Sequence, residues 1–260
     1  MAPVPARKIK VLLDRLNALL QRANEQPIDE LEWQRLRQEA RPLLATDPQE
    51  ARMALGILAA LRGDEATAMQ EFEAARTLGW TSAWALNRAT MLARFHRMED
   101  ALNEVMTVVK QGPGSGYQPA LREAAEWAYA IGRLHLAADL LKAFRQHHPE
   151  PLPPDLIDLE DSLARFVPVA EALELTDDLM AEMQAPAWAL IREQGFRRMV
   201  AITDAAHNDG DAFLSRAFRV PLPFEAAYRL DLRLVEEYAD SEADWPIERF
   251  VVSLRAQEPA

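Results

Sequence analysis

The chain has 260 residues, 49% of them apolar and 27% charged, with a formal net charge of -12 and no cysteine. That is enough apolar material for a full core in one or two domains. The acidic balance disfavours nucleic-acid binding, which needs a basic face. The missing cysteines exclude disulfides, thiolate nucleophiles and thiolate metal sites and point to a reducing, cytoplasmic compartment.

The longest apolar run, Met53 to Leu61, spans nine residues and contains Gly56, against the roughly 18 that a membrane-spanning helix requires. Arg7, Lys8 and Lys10 precede a leucine-rich stretch, but Asp14 and Arg15 interrupt it, so no signal-peptide hydrophobic region is expected.

In chain order, Ile9, Leu12, Leu13, Leu16, Leu19 and Leu20 recur at spacings of three and four, which predicts a helix with one apolar stripe, stopped at Pro27. A second helix is predicted from Asp29 to Ala45 on Leu31, Leu36, Leu43 and Leu44, bent at Pro42. The two form a hairpin.

From residue 49 the pattern becomes regular. A first unit starting at Gln49 carries Leu55, Gly56, Gly63, Asp64, Ala68, Phe72 and Ala75. A second near Ser82 carries Ala89, Leu92, Ala101, Val105 and Val108. A third near Gln118 carries Ala124, Ala125, Ala128, Gly132, Ala137, Leu141 and Phe144, closing at Pro149. Small residues let two helices approach, and the larger ones fill the space towards the next pair. The Gly-rich run between Gln111 and Gly116 lacks the Lys-Ser/Thr of a phosphate-binding loop and reads as a plain loop.

With these residues, the segment from about 49 to 149 resembles the tetratricopeptide repeat family, tandem helix-turn-helix units of about 34 residues. The resemblance implies a concave groove built from the first helix of each unit. Its positions here are Met53, Ile57 and Ala60, then Leu86, Asn87, Thr90 and Arg94, then Arg122, Glu126 and Tyr129. Asn87 matches one position of the polar set with which some members hold a peptide's terminal carboxylate, whereas Met53 and Ile57 replace polar residues of that set. Such a surface suits an amphipathic helix or apolar peptide. In the competing reading, the chain's own terminal module or cap fills the groove.

The prolines between 149 and 154 break the helical pattern. Leu156, Leu159, Leu163 and Phe166 then predict one helix, and Thr176 caps another reaching Gln194, with Gly195 closing it. Between Pro151 and Ile191 nine acids face only Arg165. They read either as a solvated surface or as a docking face for a basic partner.

The pattern then changes period. Met199 to Thr203 and Phe213 to Val220 predict two antiparallel strands around His207-Asn208-Asp209-Gly210-Asp211, whose Asp-Gly pair signals a hairpin. Pro223 and Phe224 open a helix with Tyr228, Leu232, Val235 and Tyr238 on one face, and Arg249 to Leu254 predict a third strand. The expected fold is mainly α: a TPR-like α-α superhelix over residues 1–194, with capping hairpins at both ends, and a small C-terminal α+β (β-β-α-β) module over 195–260.

Candidate chemistry is sparse. His147 and His148 are neighbours on a helix and point about 100° apart; His96 and His135 lie within repeat helices. The His207 to Asp211 cluster fails as a calcium loop, because Ala205 and Arg216 fall where acidic ligands are required. Ser215 and Ser253 lack a nucleophile-elbow motif. No cofactor or metal is expected. Arg192, Arg197 and Arg198, beside Phe196, form the one compact basic group, which reads first as pairing with the acids before it.

The leading expectation is a non-catalytic adaptor that binds a partner's peptide or helix in the repeat groove, with the terminal module available for homodimerisation. One alternative is an immunity- or antitoxin-like neutraliser using the acidic face on a basic protein. Another is an enzyme with an unrecognised site in the terminal module, built on Arg216, Arg219, Tyr228 or Asp231.

Overall fold

The computed structural model describes residues 5–22, 28–148, 150–196, 200–208 and 211–257. Pro27, Pro149, Arg197, Arg198, Met199, Asp209 and Gly210, which figure in the expectations above, lie outside the described residues. The elements are α1 (Pro5–Arg22), α2 (Glu30–Ala40), α3 (Pro48–Leu61), α4 (Glu65–Arg76), α5 (Ser82–Arg94), α6 (Met98–Val109), α7 (Tyr117–Ala130), α8 (Leu134–His147), α9 (Pro154–Ala172), α10 (Asp177–Glu193), β1 (Val200–Asn208), β2 (Asp211–Val220), α11 (Phe224–Ala239) and β3 (Phe250–Ala256). At Pro42 the second helix gives way to a 3-10 turn, Arg41–Ala45, where the proline has no amide to continue the ladder. No described helix is long and apolar enough to cross a membrane.

Consecutive helices form hairpins whose turns follow one rule. Gly63, His96, Gly132 and Glu174 take the left-handed conformation, with φ of 80°, 56°, 82° and 57°. Each donates back to the helix just ended, Gly63 to the Ala60 carbonyl, His96 to Ala93, Gly132 to Tyr129 and Glu174 to Glu171. The following residue reaches one turn deeper, Asp64 to Ala59, Arg97 to Leu92, Arg133 to Ala128 and Leu175 to Ala170. This double closure satisfies carbonyls that a helix end leaves open. The first three turns belong to the units starting at 49, 82 and 118, and the α9–α10 pair repeats the same closure.

A second device recurs. The side-chain amide of Gln49, at the start of α3, donates to the Gly79 carbonyl after α4, and that of Gln118, in the first turn of α7, donates to the His147 carbonyl at the end of α8. Both glutamines tie the opening of a hairpin's first helix to the end of its second.

The chain divides into two compact units, Met1–Tyr117 and Gln118–Ala260. The first holds 15 basic and 15 acidic residues and the second 14 and 26, so the whole net charge resides in the second.

In the first unit α3 is the central helix, in contact with α1, α2, α4 and α5. Gly56 lets α4 approach: a Cβ there would lie 2.9 Å from the Phe72 ring, and Phe72 is wholly buried. Two indoles fasten neighbouring helices, Trp33 donating to the Leu58 carbonyl and Trp84 to the Phe72 carbonyl, each at 2.8 Å. On α2 the core residues are Trp33, Leu36 and Ala40, whereas Leu31, expected on the apolar stripe, is 79% exposed. It sits in the first turn beside the capping Asp29, on the side away from Trp33.

In the second unit a mixed sheet has the order β1-β2-β3. β1 and β2 pair antiparallel from Val200↔Arg219 to Asn208↔Asp211, and β2 and β3 pair parallel from Leu214↔Phe250 to Val220↔Ala256. β1 runs further than the sequence indicated, because His207 and Asn208 continue the ladder. One sheet face carries Leu214, Arg216, Phe218, Val220, Phe250, Val252 and Leu254, all buried; there Trp188 of α10 meets Phe218 edge-on with ring centroids 4.9 Å apart. α9 contacts β1 and β2, while α10 and α11 contact β3.

Candidate functional site

α11 carries more apolar surface than its packing needs. One stripe, Ala227, Leu230 and Leu234, is buried. A second stripe, Phe224, Tyr228, Leu232 and Val235, is exposed by 75%, 54%, 43% and 55%. Spacings of four, four and three place its members on one line of the helix. The Phe224 and Tyr228 rings stack, with centroids 6.3 Å apart and planes within 8°. Pro223 precedes the helix with φ -57° and ψ 151°, an extended entry that sets Phe224 at its first position.

Three contacts fix the helix. Asp231 accepts a 2.6 Å bond from the Leu254 amide, covering part of the open edge of β3 as sheet edges require. Arg233 pairs with Glu193 at 2.9 Å. The Tyr238 hydroxyl donates to the Met183 carbonyl at 2.5 Å, and its ring meets Trp245 edge-on; burial, then the nearby Asp231 charge, pushes this phenol well above its ordinary value. Beside the exposed stripe lies a mainly apolar cleft of about 720 Å³, lined among others by Phe224, Ala227, Tyr228, Leu254 and Arg255. From Phe224 to Glu248 the chain has eight acids against Arg229 and Arg233, so the apolar stripe sits in a negative frame.

The groove positions inferred from the repeat resemblance have unequal fates. Met53 is 3% exposed and Ile57 0%. Both belong to the core of the first unit, because α1 and α2 pack against α3, and neither offers surface to a partner; Ala60 is buried as well. Leu86, Asn87, Thr90 and Arg94 lie partly exposed on α5. The Asn87 amide donates to the Ala83 carbonyl at 2.7 Å and the Thr90 hydroxyl to Leu86 at 2.9 Å.

On α7, in the second unit, Arg122 binds Glu126 at 2.9 Å and Asp155 at 2.5 Å. The Glu126 bond and the two acid charges raise the guanidinium's pKa against burial, whereas burial raises that of Glu126. Glu123, one turn before Trp127, is pushed up to about 7, first by burial and then by Glu126. Tyr129 lies under the Arg216 guanidinium, 4.9 Å from the ring centroid.

The residues of the enzyme alternative separate. Arg216 is buried on the inner sheet face and bonded to backbone, while Tyr228 and Asp231 line the cleft on α11. The acidic stretch is largely engaged within its own unit: Asp155 with Arg122, Glu160 with Arg145, Asp177 with His135, Asp178 with Arg133 and Glu174 with Arg249. Asp177 also accepts the His135 and Leu136 amides, capping α8 from another element. Arg192 is exposed at the end of α10. No group of three or more His, Asp or Glu placed to hold a metal occurs among the described residues.

No family model matches the chain, and neither the curated proteins nor the solved structures contain a match to it.

The sequence pattern puts Tyr228, Leu232 and Val235 on a common face without marking that face as the site. The signal was present: α11 has two apolar stripes, and one is enough to pack a surface helix.

Proposed function

We propose that the protein is a non-catalytic adaptor that binds a helical segment of another protein along α11. The observation that supports this reading is the exposed stripe of Phe224, Tyr228, Leu232 and Val235 beside an apolar cleft. Contiguous exposed apolar surface framed by polar residues marks interaction sites, and stacked aromatics are favoured anchors. The surrounding acids select the partner, an amphipathic helix with basic flanks. A second copy of this chain would bring the same acids against them, so like-charge repulsion weighs against a symmetric dimer here.

The helical hairpins are proposed to extend the repeat family's role, with Leu86, Asn87, Thr90 and Arg94 on α5 as a second contact surface and Arg122, Glu126 and Tyr129 on α7 as a third. Tandem helix pairs serve as stacked scaffolds for such surfaces.

The test is fluorescence titration of the full chain with a dye-labelled basic amphipathic helical peptide. Saturable binding that weakens at least tenfold in Leu232→Glu and Tyr228→Glu, but not in Leu78→Glu, an exposed leucine outside the proposed surfaces, assigns the site to α11. Equal binding by wild type and both α11 variants removes α11 from the proposal.

A further inference from the structure

A second cleft, of about 450 Å³, lies within the first unit and has a different chemistry. Its lining includes Trp33, Leu44 and Leu58 together with Arg37, Arg41 and Arg62. Trp33 is fixed by its indole bond to the Leu58 carbonyl. Two guanidinium groups lie over its ring, Arg62 at 4.5 Å and Arg37 at 5.2 Å from the centroid. Stacking on an indole fixes the plane of an arginine head and leaves its edge donors free to form paired bonds with an anion.

The acids around this cleft are already committed. Asp64 accepts the Thr67 amide as the cap of α4, and that bond, with the Thr67 side chain first, holds its carboxyl below the ordinary value. Glu71 pairs with Arg52 at 2.9 Å. Glu30 takes Arg62 at 3.3 Å. Arg37 and Arg41 have no carboxylate partner among the described residues. Arg37 and Arg41, without carboxylate partners, thus border an apolar floor.

We infer that this cleft is a binding site for an acidic peptide segment in which a carboxylate side chain sits next to an apolar one. The apolar neighbour occupies the floor formed by Leu44, Leu58 and Trp33, and the carboxylate meets Arg37 and Arg41 at the rim, with Arg62 holding the indole from above. An inorganic anion would use the rim and leave the floor empty; an apolar peptide would do the reverse. The site requires both parts in one ligand, which distinguishes it from the α11 surface, where acids frame the stripe and a basic partner is favoured.

The inference is independent of the α11 reading. It is tested by fluorescence anisotropy of the full chain with a dye-labelled decapeptide of alternating Leu and Glu, and with its Leu-Gln counterpart. Expected is saturable binding of the acidic peptide, weakened about tenfold or more by the Gln counterpart and by Arg37→Gln/Arg41→Gln, and unaffected by Leu232→Glu. Arg41 is exposed and Arg37 half-buried, neither in an ion pair among the described residues, and an unchanged circular dichroism melt of the double variant checks its fold. Leu44→Asp, which spoils the floor and spares the rim, must weaken binding as well. The inference is overturned by equal affinity for the two peptides, by no effect of the double variant, by no saturable binding below millimolar peptide, or by inorganic phosphate displacing the peptide at equal concentration.

Discussion

Arg216, from strand β2, lies over the ring of Tyr129 and donates to the carbonyls of Tyr129 and Ala130 at 3.0 and 2.9 Å, closing the C-terminus of α7. It also donates to the Thr203 hydroxyl of β1. A cation at a helix C-terminus complements the partial negative charge there, and bonds to carbonyls offset part of the cost of burying it. Burial still lowers the pKa of this guanidinium. One side chain thereby joins the sheet to a helix, which explains why an arginine occupies the apolar face of β2.

Arg216→Met should therefore destabilise the protein by about 2 to 4 kcal/mol, since it takes the guanidinium donor from the part-buried Ala130 carbonyl and Thr203 hydroxyl and one of two donors from the Tyr129 carbonyl. Arg216→Lys should lose a smaller part, because an ammonium cannot fork across two carbonyls. Urea unfolding followed by circular dichroism measures both; an unchanged midpoint for the methionine variant would refute the assignment.

The hairpin turns allow a paired comparison. Gly63 and Gly132 share a left-handed backbone, but an added Cβ at Gly63 meets nothing within 4 Å, whereas at Gly132 it would lie 1.9 Å from the Gln184 amide nitrogen. That amide is buried and donates to the Ile131 and Met180 carbonyls. Gly63→Ala should cost about 1 kcal/mol, the backbone penalty alone. Gly132→Ala should cost a further 1 to 3 kcal/mol or so as buried bonds break. Equal costs would mean that Gln184 can move aside freely.

Phe72→Ala should cost roughly 3 to 5 kcal/mol, and Gly56→Ala roughly 1 to 3, because one opens a cavity and the other overpacks the same contact. Combining them should cost less than the sum of the two, since the alanine at 56 then enters space that the ring vacated. Additive costs in a denaturation cycle would separate the two sites.

Glu123 gives the stability a pH dependence. Its folded pKa is about 7 against an ordinary 4.5, so between those values the folded chain keeps a proton that the unfolded chain has released. Its contribution is fully present below pH 4.5 and is lost as pH rises through 7, by about 3 kcal/mol as an order of magnitude. Glu123→Gln should flatten that decline in urea midpoints between pH 5 and 8. The raised Glu126 leaves a slope of the same sign. A slope identical to wild type would contradict the burial of this carboxyl.

The helices were legible because small residues at fixed spacing, such as Gly56 facing Phe72 across the α3–α4 pair, leave a periodic trace. Pro42 marked where the second helix is disturbed, though not the 3-10 turn that replaces its end; two apolar runs around an Asp-Gly pair and a β-branched third run marked the strands. What sequence could not resolve was which face of a helix another element covers. Met53 and Ile57 occupy groove positions in the repeat pattern, yet α1 and α2 bury them, since the N-terminal hairpin packs on α3. On α11 both stripes are apolar, and only packing against β3 decides that Leu230 turns inward and Leu232 outward. Arg216 was similarly opaque: its role depends on a helix end about 86 residues away in sequence.

The most direct measurement is the dissociation constant of a basic amphipathic helical peptide for the wild-type chain and for Leu232→Glu, titrated at low and at moderate salt. The adaptor account predicts saturable binding to the wild type, weaker at the higher salt, and a loss of tenfold or more in the variant with its thermal melt preserved. Indistinguishable constants for the two proteins would contradict it.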